Sequence, residues 1–160
     1  MPESQYKYRF NSGKRTILVA EDEMVNREIL GEILKSEYNV LFAKDGQETL
    51  DMIRQNASNL SLVLLDIQMP VISGLDVLKE LKGDPNLSNI PVIVMTSERS
   101  AEVESLKLGA TDFIPKPYPK KEVILTRVAR SIELSEDKDI IQSTERDALT
   151  GLYNREYFYR

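Results

Sequence analysis

Four short stretches of this sequence carry groups that could do chemistry together. Glu21, Asp22 and Glu23 follow the apolar run Ile17–Ala20, and Asp66 follows Leu62–Leu65. Thr96 and Ser97 follow Val92–Met95, and Lys116 with Pro117 follows Asp112–Ile114. If the apolar runs are strands of one open α/β sheet, these residues sit where such sheets bind ligands, beyond the carboxyl ends of the strands. Two carboxylates ~5 Å apart repel by roughly 3 kcal/mol at an effective dielectric near 20. Three of them gathered at one edge need positive charge nearby. Lys116 supplies one charge, and a hard divalent cation with oxygen ligands would supply two more. Mg²⁺ suits such a place, because it is commonly held by one or two carboxylates and keeps waters for an incoming phosphate. Taken singly, each residue has a commoner role. Asp66 reads as a turn former or cap, Glu21–Glu23 as helix-start charge, Thr96-Ser97 as an N-cap and Lys116 as a solvated surface lysine. Their joint placement at strand ends gives them a shared reading. The spacings of 44 residues from Asp22 to Asp66, 30 to Thr96 and 20 to Lys116 match successive βα units.

The elements that must position them follow from hydrophobic patterning. Apolar runs at Ile17–Ala20, Asn39–Ala43, Leu62–Leu65, Val92–Met95 and Asp112–Ile114 predict five strands buried on both faces, the habit of parallel sheets covered by helices. Between them the spacing turns helical, with stripes at Val25, Ile29, Leu30, Ile33 and Leu34, at Leu75, Leu78 and Leu81, and at Leu125, Val128 and Ile132. The alternation predicts a doubly wound α/β domain with a five-stranded parallel sheet in flavodoxin-like order, over about residues 15–134. Residues 1–14 read as a polar N-terminal tail and 135–146 as a charged helical linker that extends the last helix.

Composition narrows the function. The 160 residues contain no His, Cys or Trp, which removes imidazole and thiol nucleophiles, Cys/His zinc sites and disulfides. Chemistry therefore falls to carboxylates, hydroxyls, lysine, backbone groups or a hard metal. The 21 basic against 26 acidic residues give a net charge of −5, which argues against a nucleic-acid surface. The apolar runs are far shorter than the ~20 residues needed to cross a bilayer. No signal-peptide stretch lies in Met1–Phe10. A cytoplasmic setting without direct membrane contact is expected.

The segments Val19-Ala20-Glu21-Asp22-Glu23, Leu64-Leu65-Asp66-Ile67-Gln68-Met69-Pro70 with Gly74, Met95-Thr96-Ser97 and Gly109-Ala110-Thr111-Asp112-Phe113-Ile114-Pro115-Lys116-Pro117-Tyr118 resemble the receiver domain of two-component response regulators. The resemblance implies that Asp66 accepts a phosphoryl group from a phosphohistidine on a sensor histidine kinase or phosphotransfer protein. It implies that Mg²⁺ is held by Asp22, Asp66 and the backbone carbonyl of Gln68. Glu21 stands where the family often has Asp; it would act through a water, or its extra methylene could let it reach the metal itself. Lys116 and the Thr96 hydroxyl would contact phosphoryl oxygens, and the Lys116–Pro117 bond would be cis.

Thr96 and the aromatic at position 113 would form the switch. Where many receivers carry Tyr, this chain has Phe113, which has no hydroxyl to desolvate on turning inward. An easily switched domain is expected, dimerising through the face formed by the fourth helix, fifth strand and fifth helix. The plain alternative is that Phe113 is a core residue. The rival functions are a pseudo-receiver acting as a constitutive dimerisation module and an aspartyl phosphatase of the haloacid dehalogenase kind. The phosphatase requires a second Asp where Gln68 stands.

Residues 147–160 read as a turn followed by an aromatic helix, with Asp147 or Thr150 as a cap and Gly151 as a breaker. Asp147, Leu149, Thr150, Gly151, Leu152, Asn154, Arg155 and Phe158 resemble the entry of a GGDEF diguanylate cyclase domain. The chain is thus read as a piece of a longer regulator whose output makes cyclic di-GMP, an activity this piece lacks.

Overall fold

The computed structural model describes residues 13–150, with side chains described through residue 137. Five strands and five helices alternate: β1 Arg15–Ala20, α1 Met24–Leu34, β2 Tyr38–Ala43, α2 Gly46–Asn56, β3 Leu60–Asp66, α3 Gly74–Gly83, β4 Val92–Thr96, α4 Arg99–Lys107, β5 Asp112–Pro115 and α5 Lys121–Thr150. All strand pairs are parallel, in the order β2-β1-β3-β4-β5. This is the flavodoxin-like arrangement the patterning predicts.

The continuous apolar runs resolve into two faces because successive strand side chains point opposite ways. Leu18, Ala20, Val63, Leu65, Val92 and Val94 face a core shared with Leu50 and Ile53 of α2 and Val77, Leu78 and Leu81 of α3. Ile17, Val19, Leu62, Leu64, Ile93 and Met95 face a second core with Leu30 and Leu34 of α1 and Ile124, Val128 and Ile132 of α5. One correction concerns α1. Its predicted stripe includes Val25 and Ile29, which are 64% and 42% exposed, and the buried face is Leu30, Gly31 and Leu34. Val25 and Ile29 thus lie off the buried face, and Ile29 lines a groove beside Pro117–Pro119 instead.

The strands begin earlier than the apolar runs, at Arg15, Tyr38 and Leu60, and Asp66 and Thr96 are the last residues of their strands rather than the first beyond them. The parallel ladder carries on through polar residues as long as its backbone partners do. Helix α5 continues unbroken through residues 147–150, so no helix starts at Asp147; a start after Thr150 lies outside the described residues. Ser135 and Glu136 still touch the domain body: the Ser135 hydroxyl donates to Asn89 O at 3.3 Å, and Arg15 makes a two-pronged ion pair with Glu136 at 2.7 and 2.8 Å. Residues 1–12 and 151–160, which include most of the expected tail and of the GGDEF-like segment, lie outside the described residues.

Candidate functional site

Strand register explains why distant residues meet. Ala20 pairs with Leu65, Asp66 with Met95, and Thr96 with Pro115. The residues at the carboxyl ends of β1, β3, β4 and β5 therefore fall side by side. Sheet order reverses direction at β1, leaving a crevice between the ends of β1 and β3. Backbone bonds extend the ladder past the strands: Glu21 N donates to Ala43 O at 3.0 Å, Ile67 N to Met95 O at 3.1 Å and Lys116 N to Thr96 O at 2.9 Å.

In that crevice carboxylate oxygens of Glu21, Asp22 and Asp66 all lie within 4.8 Å of one another. Glu21 is fully buried, Asp66 nearly so, and Asp22 is exposed. Lys116 Nζ bridges two of them, at 2.9 Å from Glu21 Oε1 and 3.1 Å from Asp66 Oδ2. The Lys116–Pro117 bond is cis, as the resemblance implies.

The carboxylates share this single cation unequally. Burial alone would push Glu21 up. Hydrogen bonds from the Glu23 amide and Lys116 outweigh it and hold Glu21 at about 2. Asp66 is pushed up to about 7, by burial first and then by the negative charge of Glu21, with Lys116 opposing. Asp22 is raised by burial and by the adjacent Glu21. Lys116 is raised despite burial, because both carboxylates favour its charged form. Without further positive charge, Glu21 is ionised and Asp66 is the carboxyl that takes a proton near neutrality. Three hard oxygen donors short of cation are the donor chemistry that suits a small divalent ion.

The surrounding loops are pinned. Gly74 N donates to Ile67 O at 2.8 Å, and the Gln68 amide donates to Asp66 Oδ1 at 3.1 Å, so the loop after β3 folds back on the acidic residue. A Cβ at Gly74 would lie 2.1 Å from Asp66 O, and one at Gly46 would lie 2.0 Å from Ile72 O. Only glycine lets α2, α3 and this loop approach so closely. Within the same loop, exposed Val71 takes a φ of 72°, an uncommon conformation for a β-branched residue. The Gln68 side chain donates to Glu98 Oε1 at 2.8 Å, joining the loops that follow Asp66 and Thr96.

Thr96 is buried, and its hydroxyl oxygen accepts from Glu98 N at 3.0 Å. It is not the N-cap of α4. That position is Glu98, whose side chain makes no capping bond. Phe113 is partly buried against the α2–α3 core, with the Arg127 guanidinium 5.5 Å from its ring centroid and donating to its carbonyl.

Sequence reasoning missed three contributors. Tyr118, quoted above only as part of a motif, donates its hydroxyl to Glu21 Oε1 at 3.2 Å. Asn26 donates to the same oxygen at 3.3 Å. Arg27 donates to the carbonyls of Glu21 and Asp22, both at 2.9 Å, and fixes the turn that presents them. All three lie on α1 or beyond β5, where no strand-end rule points.

Comparison with known proteins agrees with this geometry. The family model for the response regulator receiver domain matches residues 17–129. A histidine kinase of Formosa agariphila is 37% identical over 111 residues, covering 68% of this chain and 8% of the relative. A probable cyclic di-GMP phosphodiesterase of Vibrio cholerae is 34% identical over 128 residues, covering 79% of this chain and 28% of that protein. The chain thus spans a minor part of these relatives. Among solved structures, the receiver domain of a sensor histidine kinase from Pseudomonas aeruginosa, with a magnesium ion coordinated in its active site cleft, superposes with a TM-score of 0.68. It is 25% identical, and the match covers 75% of this chain and 98% of that one. Among the described residues no helix is long and apolar enough to cross a membrane. With its sheet order, its acidic crevice and a family match across most of its length, this chain belongs to the response regulator receiver domain family.

Proposed function

We propose that Asp66 is the phosphoacceptor of this receiver and that Asp22, Asp66 and the carbonyl of Gln68 hold Mg²⁺, with Glu21 beside them. The observation that carries this reading is one lysine shared by two buried carboxylates in a three-carboxylate pocket. Bound there, Mg²⁺ would offset charge developing on the phosphoryl oxygens. A carboxylate oxygen of Asp66 attacks phosphorus, forming a P–O bond as the P–N bond of a phosphohistidine donor breaks. The electron pair stays on the imidazole nitrogen. The donor belongs to a sensor histidine kinase or a phosphotransfer protein, since this chain has no His. Lys116 pairs with one phosphoryl oxygen. The Thr96 hydroxyl donates to another; among the described residues it accepts a bond from Glu98 N, and its own hydrogen is uncommitted.

Phosphorylation draws Thr96 toward the new oxygens, and Phe113 turns into the space left behind. The coupling between the two is ~1–3 kcal/mol. The face carrying exposed Val103 and Leu106 of α4 and Val123 of α5 then pairs with a second copy. Residues 15–134 act as the receiver and 135–146 as the helical linker. The GGDEF-like residues 147–160 begin a cyclase output, the activity of a longer parent rather than of this piece.

Intact mass after incubation with acetyl phosphate and Mg²⁺ tests the reading. One added phosphoryl group is expected on the wild type and none on Asp66→Asn. An adduct on the variant, or none on the wild type, rules it out. The wild-type arm also separates this reading from a pseudo-receiver, which would stay unmodified.

A further inference from the structure

Glu21 is the most heavily bonded side chain of the pocket. Oε1 accepts from Lys116 at 2.9 Å, Tyr118 at 3.2 Å and Asn26 at 3.3 Å, and Oε2 accepts from Glu23 N at 3.0 Å. A carboxylate offers about four acceptor positions. Three donors crowd Oε1 and one meets Oε2, and the side chain is 0% exposed, so the protein rather than solvent supplies these donors.

Lys116 is the donor with another task. It already divides itself between Glu21 and Asp66. When a phosphoryl group sits on Asp66, Lys116 is drawn toward its oxygens, and its bond to Glu21 weakens. A buried carboxylate that loses a charged donor is costly unless other donors hold it. Asn26 and the Glu23 amide are local, within five residues of Glu21. Tyr118 is 97 residues away and anchored independently, its ring packed in the α1–α5 core and lining a groove of about 480 Å³ with Ile29, Ile33, Pro117 and Pro119. The Glu21 carboxylate, one methylene farther from its backbone than an aspartate's, meets the Tyr118 hydroxyl at 3.2 Å.

We propose that Tyr118 is a positioning residue for phosphoryl capture: its hydroxyl holds Glu21 in place as Lys116 shifts toward the phosphoryl oxygens. This rests on the reading of Asp66 as phosphoacceptor. The Tyr118 hydroxyl meets Glu21 Oε1 at 3.2 Å, so on this proposal it acts through Glu21.

The test is a double-mutant cycle read by the affinity for beryllofluoride in saturating Mg²⁺, with Mg²⁺ affinity measured separately. Tyr118→Phe removes only the hydroxyl and keeps the ring in the groove. It is expected to weaken beryllofluoride binding about tenfold, the usual worth of a hydrogen bond to a charged group. Mg²⁺ affinity is expected to stay within about twofold, because Lys116 still serves Glu21 before capture. In the Glu21→Asp background the shortened carboxylate no longer reaches the phenol, so adding Tyr118→Phe changes beryllofluoride binding by less than about twofold. An equal loss in both backgrounds makes Tyr118 a packing residue and overturns the proposal. So does unchanged beryllofluoride affinity in the single variant, or an equal fall in Mg²⁺ affinity. A wild type that binds no beryllofluoride removes the phosphoacceptor reading, and this inference goes with it.

Discussion

Lys116 Nζ lies 3.1 Å from Asp66 Oδ2, and the same nitrogen is 2.9 Å from Glu21, so one cation stitches the end of β5 to the ends of β3 and β1. Breaking a buried pair by removing one partner costs about 3–5 kcal/mol. Lys116 keeps some contact with water, and Asp66 can relieve part of the repulsion by taking a proton. Lys116→Ala is accordingly expected to destabilise the metal-free protein by about 2 kcal/mol at neutral pH, read from urea unfolding. Adding Mg²⁺ is expected to recover most of that loss while phosphoryl capture stays poor, because the variant lacks the ammonium proposed to meet a phosphoryl oxygen.

The raised Asp66 carboxyl gives stability a pH signature. Its folded value of about 7 lies above the unfolded one, so the native state binds more protons between those values. Stability from this group is full at low pH and is lost as pH rises toward 7, by on the order of 4 kcal/mol if no other group compensates. Glu21 works oppositely. Held at about 2, it contributes stability that is lost only as pH falls below the ordinary carboxylate range. Thermal unfolding of the metal-free protein should thus show a midpoint that falls from pH 5 to pH 8. Asp66→Asn should flatten that slope, and so should Mg²⁺.

Gly46 supports the site without touching it. A Cβ there meets Ile72 O at 2.0 Å, and the Gly46 amide donates to Pro70 O at 3.3 Å, so the first turn of α2 lies against the loop that follows Asp66. The obstruction is backbone and cannot rotate away. Gly46→Ala is expected to cost about 3 kcal/mol in urea unfolding, within the range for overpacking. The Gly83→Ala control, where a Cβ meets nothing within 4 Å, should fall within about 1 kcal/mol of wild type.

The strands were legible because runs such as Leu62–Leu65 are apolar on both faces, a pattern that a sheet covered by helices demands. Helices α2 and α4 gave no stripe. In α2, Gln47, Glu48, Asp51 and Arg54 crowd the apolar positions, and α4 buries only Ala101 and Ser105. Val25 and Ile29 misled because helical spacing records an apolar face without saying what covers it. At the site, Glu21, Asp22, Asp66, Thr96 and Lys116 were visible as residues at strand ends. Tyr118, Asn26 and Arg27 were not, because their hydrogen bonds depend on how α1 and the segment after β5 pack together, which spacing does not encode.

In the proposed switch, Phe113 would set how readily the ring turns inward. Its ring is partly buried and faces the Arg127 guanidinium. A tyrosine would carry a hydroxyl that must shed water on moving inward. Phe113→Tyr is therefore expected to lower the dimer fraction of the unphosphorylated protein, measured by sedimentation at matched concentration. An unchanged fraction would mark Phe113 as an ordinary core residue.

On the proposed function, a cation-starved acidic crevice makes Asp66 the site of Mg²⁺-dependent phosphorylation. Peptide mapping by mass spectrometry after acetyl phosphate treatment, with Mg²⁺ and with chelator, tests it most directly. One phosphoryl group is expected on the peptide containing Asp66, formed with Mg²⁺ and absent with chelator. Modification on any other residue, or equal modification without the metal, would contradict it.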